Sequence, residues 1–339
     1  MPSEFASHQP AHSETGATDT FRVVIVMPVY QDWESASILC QSLDECLDGL
    51  PRVTVRVLLV DDGSPEGVAG WNLLAIRSLL QVDVLRLRRN LGHQRAICTA
   101  LCYVLEHIPS DAVLVMDADG EDRPEDAVGL IEIMMANSTG VLFAERRKRF
   151  EGLVFRIGYG LFRFLHRLLT GIPVRVGNFS IISCSGLGRL TCMAELWNHY
   201  AGAVFKSQVP FRCVPMNRGR RLRGRSKMNF PSLVAHGLAG IASFQETVTT
   251  RILIANVICV LLLVISLAVV IAIRFGSHLA IPGWATYTVG LIAILLSQVL
   301  AVSFSLVFFV ISNRTRALFV PSRDCPIFVD RLENLARRE

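Results

Sequence analysis

The chain has 339 residues, enough for one catalytic domain of ordinary size and additional segments. Its mean hydropathy is +0.43 and only 19% of its residues are charged, which excludes a purely soluble globular enzyme. The net charge of +5 suits anionic lipid or phosphate, and there is no RNA-binding aromatic motif, zinc finger or basic heptad to favour nucleic acid.

The nine cysteines are scattered, odd in number and form no CxxC pair. This pattern argues against a disulfide framework or a zinc site, and it indicates a reducing compartment. Cys98 and Cys102 stand four residues apart on a predicted helix, and we interpret them as small buried hydrophobes.

The first half of the chain alternates between predicted strands and helices. Residues 1–20 lack the apolar core of a secretory signal, so we expect a disordered tail there. The predicted elements that follow are a strand at Phe21–Tyr30, a helix at Glu34–Leu47, a strand at Val53–Val60, a helix at Leu73–Leu80, a short strand at Val82–Leu87, a helix within Asn90–His107, a strand at Val113–Met116, a helix at Pro124–Met135 and a strand at Gly140–Ala144. This alternation predicts a doubly wound, mainly parallel α/β sheet, which resembles a Rossmann fold.

Carboxylates follow two of these predicted strands. Asp117 and Asp119 leave the end of Val113–Met116 with only Ala118 between them, and residues i and i+2 of a strand point the same way. Two hard oxygen ligands on one side suit Mg²⁺ or Mn²⁺ together with substrate phosphates. The pair Asp61–Asp62 ends another strand, which fits a ligand lying across the carboxyl edge of the sheet. The alternative is an acidic turn with solvated side chains.

The second half of the chain contains basic and apolar segments. Gly152–Thr170 is a basic, strongly apolar helix that suits a membrane interface, although a core helix with surface arginines would show a similar pattern. Further strands are predicted at Val176–Ser183 and Val209–Asn217. Arg218–Lys227 has six cations in ten residues and is either a solvated basic loop or a flexible phosphate clamp. An amphipathic juxtamembrane helix is expected over 231–250.

Two long apolar segments predict a membrane hairpin. Ile252–Ile273 has 22 residues without a formal charge, and Trp284–Ile311 is a second uncharged run, each long enough for a hydrocarbon core of ~30 Å. The loop Arg274–Gly283 has one Arg and one His, whereas arginines flank the outer ends of both spans. The positive-inside rule therefore predicts that the catalytic domain and both termini are cytosolic, with 312–339 as a short polar tail.

Five motifs in this order resemble a known family. Four of them resemble motifs of the family-2 glycosyltransferases of the GT-A fold: MPVY at Met27–Tyr30, VDDGSPEG at Val60–Gly67, RRNLGHQRA at Arg88–Ala96 and MDADGEDRPE at Met116–Glu125. The later RGRSK at Arg223–Lys227 and the hairpin make the chain similar to the polyprenyl-phosphate glycosyltransferases, the dolichol-phosphate mannose synthase-like group. The resemblance covers roughly Phe21–Ile311 and implies a GT-A domain over 21–230 followed by two transmembrane helices.

The resemblance implies roles for residues at the donor end. Pro28, Tyr30 and Asp62 would line the nucleoside pocket, with Asp61 assisting. Asp117 and Asp119, on either side of Ala118, would hold the Mg²⁺ or Mn²⁺ ion that bridges the donor diphosphate, and Glu121 would be a third ligand.

The resemblance also implies a set of cationic residues around the phosphates. Arg146 would lie near the diphosphate, and Arg221, Ser226 and Lys227 would belong to a loop closing over the donor and the lipid phosphate. Positive charge there would stabilise the leaving nucleoside diphosphate without proton transfer.

The acceptor end departs from the family pattern, because Asn178 occupies a position where many relatives have an acidic residue. An amide is not a general base, which matters for a hydroxyl acceptor and much less for a lipid phosphate with a second pKa of ~6. Other candidate bases are Glu145, Glu195 and His199, whereas His93 and His166 are interpreted as structural or interfacial.

The expected activity is inverting transfer of a sugar from a nucleotide-sugar donor to a polyprenyl phosphate at the cytosolic leaflet of the inner membrane. The alternatives are a family-2 enzyme that extends a glycolipid or polysaccharide on a hydroxyl, and an inactive nucleotide-sugar-binding assembly protein. The sequence identifies neither the base, the sugar, the pathway nor the oligomeric state, although a homo-oligomer is compatible with membrane helices.

Overall fold

The computed structural model describes residues 20–50, 52–65, 67–68, 76–137, 140–146, 153–172, 176–217, 219, 221–222, 237–276, 283–314 and 319–338. The predicted N-terminal tail, except Thr20, lies outside these residues, as do Ser226 and Lys227. For a few further residues the structure describes the backbone but not the side chain, namely 137, 146, 153–159, 161 and 313–314.

The described strands form one eight-stranded sheet in the order β7-β5-β6-β4-β1-β2-β3-β8. Its strands are β1 (Phe21–Val29), β2 (Val53–Asp61), β3 (Leu79–Leu87), β4 (Ala112–Val115), β5 (Val141–Arg146), β6 (Ser180–Ser183), β7 (Phe211–Met216) and β8 (Val329–Arg337). Strands β3, β2, β1 and β4 run parallel, whereas β6 is antiparallel to both β4 and β5, and β8 is antiparallel to β3. The predicted mainly parallel α/β sheet is confirmed, with antiparallel pairs toward its two sides.

Helices cover both faces of the sheet and extend beyond it. They are α1 (Trp33–Cys46), α2 (His93–His107), α3 (Pro124–Asn137), α4 (Leu153–Thr170), α5 (Cys184–Leu190), α6 (Tyr200–Lys206), α7 (237–242), α8 (Gln245–Gly276), α9 (Trp284–Arg314) and α10 (Pro321–Asp324). Single 3₁₀ turns lie at Leu47–Gly49, Ala194–Trp197 and Cys325–Phe328.

The central strand β1 has apolar side chains on both of its faces. Val23, Ile25 and Met27 belong to the core that also contains side chains of α1 and α3. Val24 and Val26 belong to the opposite core, which contains side chains of α2, α5 and α6. Burial on both faces explains why the predicted parallel strands are continuous apolar runs rather than alternating ones.

The predicted helix at Leu73–Leu80 is wrong over its described part. Residues 79–80 begin β3, and residues 77–78 form a bend. The carboxylate of Asp44 accepts hydrogen bonds from the backbone N–H groups of Arg77, Ser78 and Leu79 at 2.7–3.1 Å. These bonds hold the backbone before β3 in a non-helical conformation. The contact with Asp44, which is distant in sequence, therefore overrides the local helical pattern.

The helix predicted within Asn90–His107 is confirmed as α2. It begins at His93, directly after Gly92, which has a positive φ of 90°. The strand predicted at Val176–Ser183 is confined to β6, Ser180–Ser183.

The C-terminal segment, predicted as a polar tail, is instead part of the folded domain. β8 pairs along the edge of β3, and the Asn334 amide donates to Asp83 at 3.0 Å. The rings of Phe319 and Phe328 lie against Trp197, with centroid distances of 4.5 and 5.2 Å. The sequence analysis did not predict β8, because its polar residues lack the apolar run of a buried strand. An edge strand buries only part of its side-chain surface.

Helices α8 and α9 are long and apolar enough to cross a membrane. At ~1.5 Å per residue, the 32 residues of α8 extend beyond a hydrocarbon core of ~30 Å. The amide of Asn256 donates to the hydroxyl of Ser303 at 3.0 Å, a polar contact between the two helices of the kind that helps pairing in lipid. Most of their large apolar side chains are exposed, as lipid-facing side chains would be.

Candidate active site

The end of β4 builds a compact acidic turn. Asp122 is buried and accepts the backbone N–H of Asp117 at 2.9 Å, while Asp119 accepts the backbone N–H of Glu121 at the same distance. Gly120 has a φ of 82°, a left-handed backbone conformation that residues with a side chain rarely adopt. These contacts define how Asp117 and Asp119 leave the sheet. Sequence reasoning missed Asp122, although its carboxylate shapes the turn.

The start of the basic loop lies on this acidic turn. The Arg221 guanidinium is 2.5 Å from the Asp119 carboxylate. Two backbone bonds join the same segments, because Leu222 N–H donates to Asp119 O and Gly219 N–H donates to Glu121 O, both at 2.9 Å. The structure therefore brings Arg221 to Asp119 and Glu121, which lie about a hundred residues earlier in the chain. The sequence analysis had predicted that these three residues belong to one site.

The charge of the turn suits a hard divalent cation. Burial is the main reason why the pKa of Asp119 is raised, and the nearby carboxylates Asp117 and Glu121 add to the effect. A cation at this point would relieve that repulsion, and carboxylate oxygens are the ligands that Mg²⁺ and Mn²⁺ prefer. In the described conformation the three carboxylates do not gather their oxygens within 4.8 Å of one another, and Arg221 is bound to Asp119.

A histidine that sequence reasoning left outside the site lies next to Asp117. His93 Nε2 is 3.2 Å from Asp117 Oδ1 and 3.0 Å from the amide nitrogen of Asn178. Burial is the largest single effect and lowers the pKa of His93, but the carboxylates of Asp117, Asp62 and Asp119 together outweigh it, so the pKa is raised above its ordinary value. The clue in the sequence was the Asn90-Leu91-Gly92 turn, which predicts that the next residue opens a helix at the sheet edge.

Asn178 is held in place from the same helix. Gln94 donates from its amide to Asn178 Oδ1 at 3.1 Å, and its own oxygen accepts the backbone N–H of Tyr200 at 2.7 Å. The phenol of Tyr200 is bonded to Ser180 at 2.8 Å. A connected polar chain thus runs from the carboxylate turn to the residues around β6.

Asp61 and Asp62 are buried and hold neighbouring loops. Asp61 pairs with Arg86 at 2.7 Å, and Asp62 accepts the backbone N–H groups of Leu91 and Gly92 at 2.6 and 2.9 Å. Burial raises the pKa of Asp62. Both carboxylates therefore shape the loops at the carboxyl edge, and their direct contact with a nucleoside stays a prediction.

The other predicted nucleoside-binding residues lie beside Asp62. The backbone N–H of Asp62 donates to Val29 O at 3.0 Å, and this bond joins the ends of β1 and β2. Pro28 is buried within β1, whereas Tyr30 is 38% exposed just beyond it. The exposed ring of Tyr30 is the surface here that a base could stack on.

The remaining predicted residues are described only in part. Arg146 is the last residue of β5 and pairs in register with Met216 at the end of β7, so its backbone lies near the start of the basic loop. Two of the candidate bases have other partners: Glu195 pairs with Lys206 at 2.6 Å, and His199 accepts the backbone N–H of Gly202 at 3.0 Å.

Helix α4 presents an apolar surface next to the long apolar helix α8. Phe164 and Leu168 are 66% and 58% exposed, although both are large hydrophobic residues. The guanidinium of Arg251, near the start of α8, donates to the backbone oxygen of Leu168 at 2.7 Å. A cation on the carbonyl end of a helix is favourable, and here it joins α4 directly to the apolar hairpin.

The sequence and this arrangement agree with one protein family. Residues 24–191 match the model of glycosyl transferase family 2. The chain thus contains a family-2 glycosyltransferase domain, and its mainly parallel mixed sheet fits the GT-A class expected from the motifs.

Relatives include several bacterial and phage proteins. The chain is 25% identical over 314 residues to the uncharacterized glycosyltransferase YkcC of Bacillus subtilis, covering 90% of this chain and 92% of that protein. It is 27% identical over 227 residues to the bactoprenol glucosyl transferase of Shigella phage SfX, covering 66% and 72% respectively.

A solved structure with a related shape is glucosyl-3-phosphoglycerate synthase from Mycobacterium tuberculosis in complex with Mn²⁺, UDP-glucose and phosphoglyceric acid. Its TM-score is 0.46 at 15% identity, covering 70% of this chain and 86% of that one.

Proposed function

We propose that this protein is a membrane-anchored inverting glycosyltransferase that moves a sugar from a nucleotide-sugar donor to a polyprenyl phosphate at the cytosolic leaflet. One observation carries the proposal. The domain that contains the Asp117–Asp119 turn and its Arg221 partner also exposes the apolar face of α4, and Arg251 ties that helix to α8. A phosphate-handling edge joined to a lipid-facing surface suits a substrate that has a phosphate head and a hydrocarbon tail.

The donor would bind across the carboxyl edge of the sheet, with its base near Tyr30 and its diphosphate near the acidic turn. Asp117 and Asp119, with Glu121 as a third candidate, would hold the Mg²⁺ or Mn²⁺ ion, which when bound supplies positive charge to the diphosphate. Arg221 would then leave Asp119 and contact the phosphates, so that the cation of the loop stabilises the charge that develops on the leaving nucleoside diphosphate.

The acceptor end supports a phosphate rather than a hydroxyl. Asn178 is an amide held by Gln94 and His93, and it cannot remove a proton. A lipid phosphate is already mostly deprotonated near neutral pH, because its second pKa is ~6. One of its oxygens would form the new bond to the anomeric carbon while the bond to the diphosphate breaks, which inverts the configuration. The bactoprenol glucosyl transferases among the relatives agree with such an acceptor.

The position of β8 supports the proposed topology. The chain leaves the sheet for α8 and α9 and then returns to pair with β3, so both ends of the hairpin meet one domain. A chain that starts and ends on one side of a membrane crosses it an even number of times, in agreement with two spans. The arginines flanking the outer ends of the spans favour the cytosolic side for that domain.

The test is transfer by the purified full-length protein in detergent, supplied with radiolabelled nucleotide sugars and undecaprenyl phosphate. We expect an acid-labile lipid monophosphate sugar as the product. Asp119→Asn should lower the rate by roughly 10²-fold or more, because it removes a ligand of the divalent cation whose positive charge would stabilise the leaving diphosphate.

Asp111→Asn is the matched control for this experiment. Asp111 precedes the amino end of β4 and pairs with exposed Arg22, far along the strand from the acidic turn, so its loss should leave the rate nearly unchanged. Transfer only onto hydroxyl-bearing acceptors would overturn the proposed acceptor. Undiminished transfer by Asp119→Asn would overturn the proposed site.

A further inference from the structure

Three cysteines from distant parts of the chain meet in the interior. Cys98 and Cys102 lie on α2, and Cys325 opens the 3₁₀ turn after α10. Their sulfur atoms all lie within 4.8 Å of one another, and the Cys98–Cys325 distance is 3.7 Å. All three side chains are buried, and among the described residues this is the one such cluster of potential metal ligands.

The arrangement of the sulfurs fits a tetrahedral metal ion. With Zn–S bonds of about 2.3 Å, two thiolates of a tetrahedral zinc site lie about 3.8 Å apart. Residues i and i+4 share one face of a helix, so α2 presents Cys98 and Cys102 to the same point, and Cys325 approaches from the C-terminal segment. We propose that these three cysteines bind Zn²⁺, with a water molecule as the fourth ligand.

The structure leaves room for a water molecule beside Cys102. A cavity of about 180 Å³ there is lined by Thr99, Cys102, Tyr103, Glu106, His107, Pro326 and Val329. The polar side chains Glu106 and His107 form its rim, where a hydrated cation would enter. Cys102 therefore connects the buried sulfurs to a polar opening.

Cys40 provides a contrast, because it is equally buried without belonging to the cluster.

The zinc ion would fasten the C-terminal segment to α2. That segment carries β8 and follows the second membrane span, whereas α2 begins with His93 beside Asp117. Such a clip closes a loop of more than two hundred residues, the case in which loop closure stabilises most in theory. This site would be separate from the donor cation site, since thiolates select soft metals and carboxylates select Mg²⁺ or Mn²⁺.

The experiment measures metal in the full-length protein, purified anaerobically in detergent without chelators. We expect about one zinc ion per chain by mass spectrometry of the metal. Replacing Zn²⁺ by Co²⁺ should produce the thiolate-to-cobalt charge-transfer absorption and the visible bands of a tetrahedral site. In Cys325→Ser and Cys102→Ser the zinc content should fall about tenfold or more, because a lost thiolate ligand weakens binding.

Cys40→Ser is the matched control, because Cys40 is a buried cysteine on the other face of the sheet. This variant should keep its zinc. Should the cluster variants fold poorly, the wild-type protein decides alone: Zn²⁺ added after chelation should raise its thermal midpoint and protect Cys98, Cys102 and Cys325 from alkylation. Wild-type protein without zinc, without the cobalt bands and without this protection would overturn the proposal. So would a native disulfide between Cys325 and either α2 cysteine.

Discussion

The guanidinium of Arg221 and the carboxylate of Asp119 form a 2.5 Å ion pair at the end of β4. Both side chains are mostly buried, at 23% and 15% exposure, so the pair is more than a surface contact. A cation of the basic loop thus occupies the carboxylate that we propose as a metal ligand. Binding of the donor and its metal would exchange this contact for others, which makes the loop responsive to the donor.

Arg221→Ala should separate metal binding from turnover. The charge-assisted bond to Asp119 is worth about 1.5–3 kcal/mol, so its loss should tighten Mn²⁺ binding to the donor-free protein about tenfold or more. Turnover should fall, because the leaving diphosphate loses a cation. Electron paramagnetic resonance of free Mn²⁺ measures the first effect and single-turnover transfer the second.

Arg221→Lys is the control, since it keeps the charge and loses the forked geometry. Its Mn²⁺ affinity should lie between those of the wild type and the alanine variant. Equal Mn²⁺ affinity in all three proteins would show that the ion pair does not compete with the metal.

Gly120→Ala and Gly219→Ala should separate the basic loop from the acidic turn. A Cβ atom on Gly120 would lie 2.4 Å from Leu222 Cγ, and one on Gly219 would lie 2.6 Å from Gly120 O. We expect a raised donor KM and faster proteolytic cleavage of the loop. Gly129→Ala is the matched control, because a Cβ atom there meets nothing within 4 Å, and it should be neutral or slightly stabilising. A KM unchanged in both loop variants would contradict the docked arrangement.

The stability of the metal-free protein should fall as the pH rises above 6.5, the ordinary pKa of histidine. The pKa of His93 is raised above its ordinary 6.5 in the folded state, so the His93–Asp117 pair contributes fully below that value. This contribution is lost as the pH rises through the higher folded pKa. Thermal midpoints measured across that range with a chelator should show the decline, and His93→Gln should reduce it. Parallel pH profiles for the two proteins would refute the role of His93.

Arg86→Ala should destabilise the catalytic domain strongly. Arg86 pairs with the buried Asp61 and also with Glu333 of β8, and removing it leaves Asp61 without its cation. Breaking such a buried pair costs about 3–5 kcal/mol. Arg22→Ala breaks the exposed pair with Asp111 and should cost only about 0–1 kcal/mol. Denaturant unfolding in detergent compares the two, and equal losses would argue against a structural role for Asp61.

Much of the fold could be predicted because its signals are local. The apolar run of β1 and the amphipathic spacing of α1 each reflect the face that the element buries, and both lie close to the predicted positions. The motif around Asp117 likewise carries its strand, turn and helix start within a dozen residues. Antiparallel β6 and β8 were harder to foresee, because their direction depends on distant partners.

The contacts within the candidate site could not be predicted for the same reason. Nothing near His93 in the sequence indicates Asn178, and nothing near Cys98 indicates Cys325. Asp61 and Asp62 look alike in the sequence, yet the first meets Arg86 and the second meets two backbone N–H groups. Each of these partnerships depends on how the loops meet at the sheet edge, which is a property of the assembled fold.

The pairing of β8 with β3 also sets the order in which this protein can be completed. β3 is synthesised before α8 and α9, whereas β8 is synthesised after both of them. Until then the edge of β3 lacks its native partner, and an unpaired strand edge favours aggregation. The sheet therefore reaches its final form only after α8 and α9 have been synthesised, which makes completion of the catalytic domain depend on the two apolar helices.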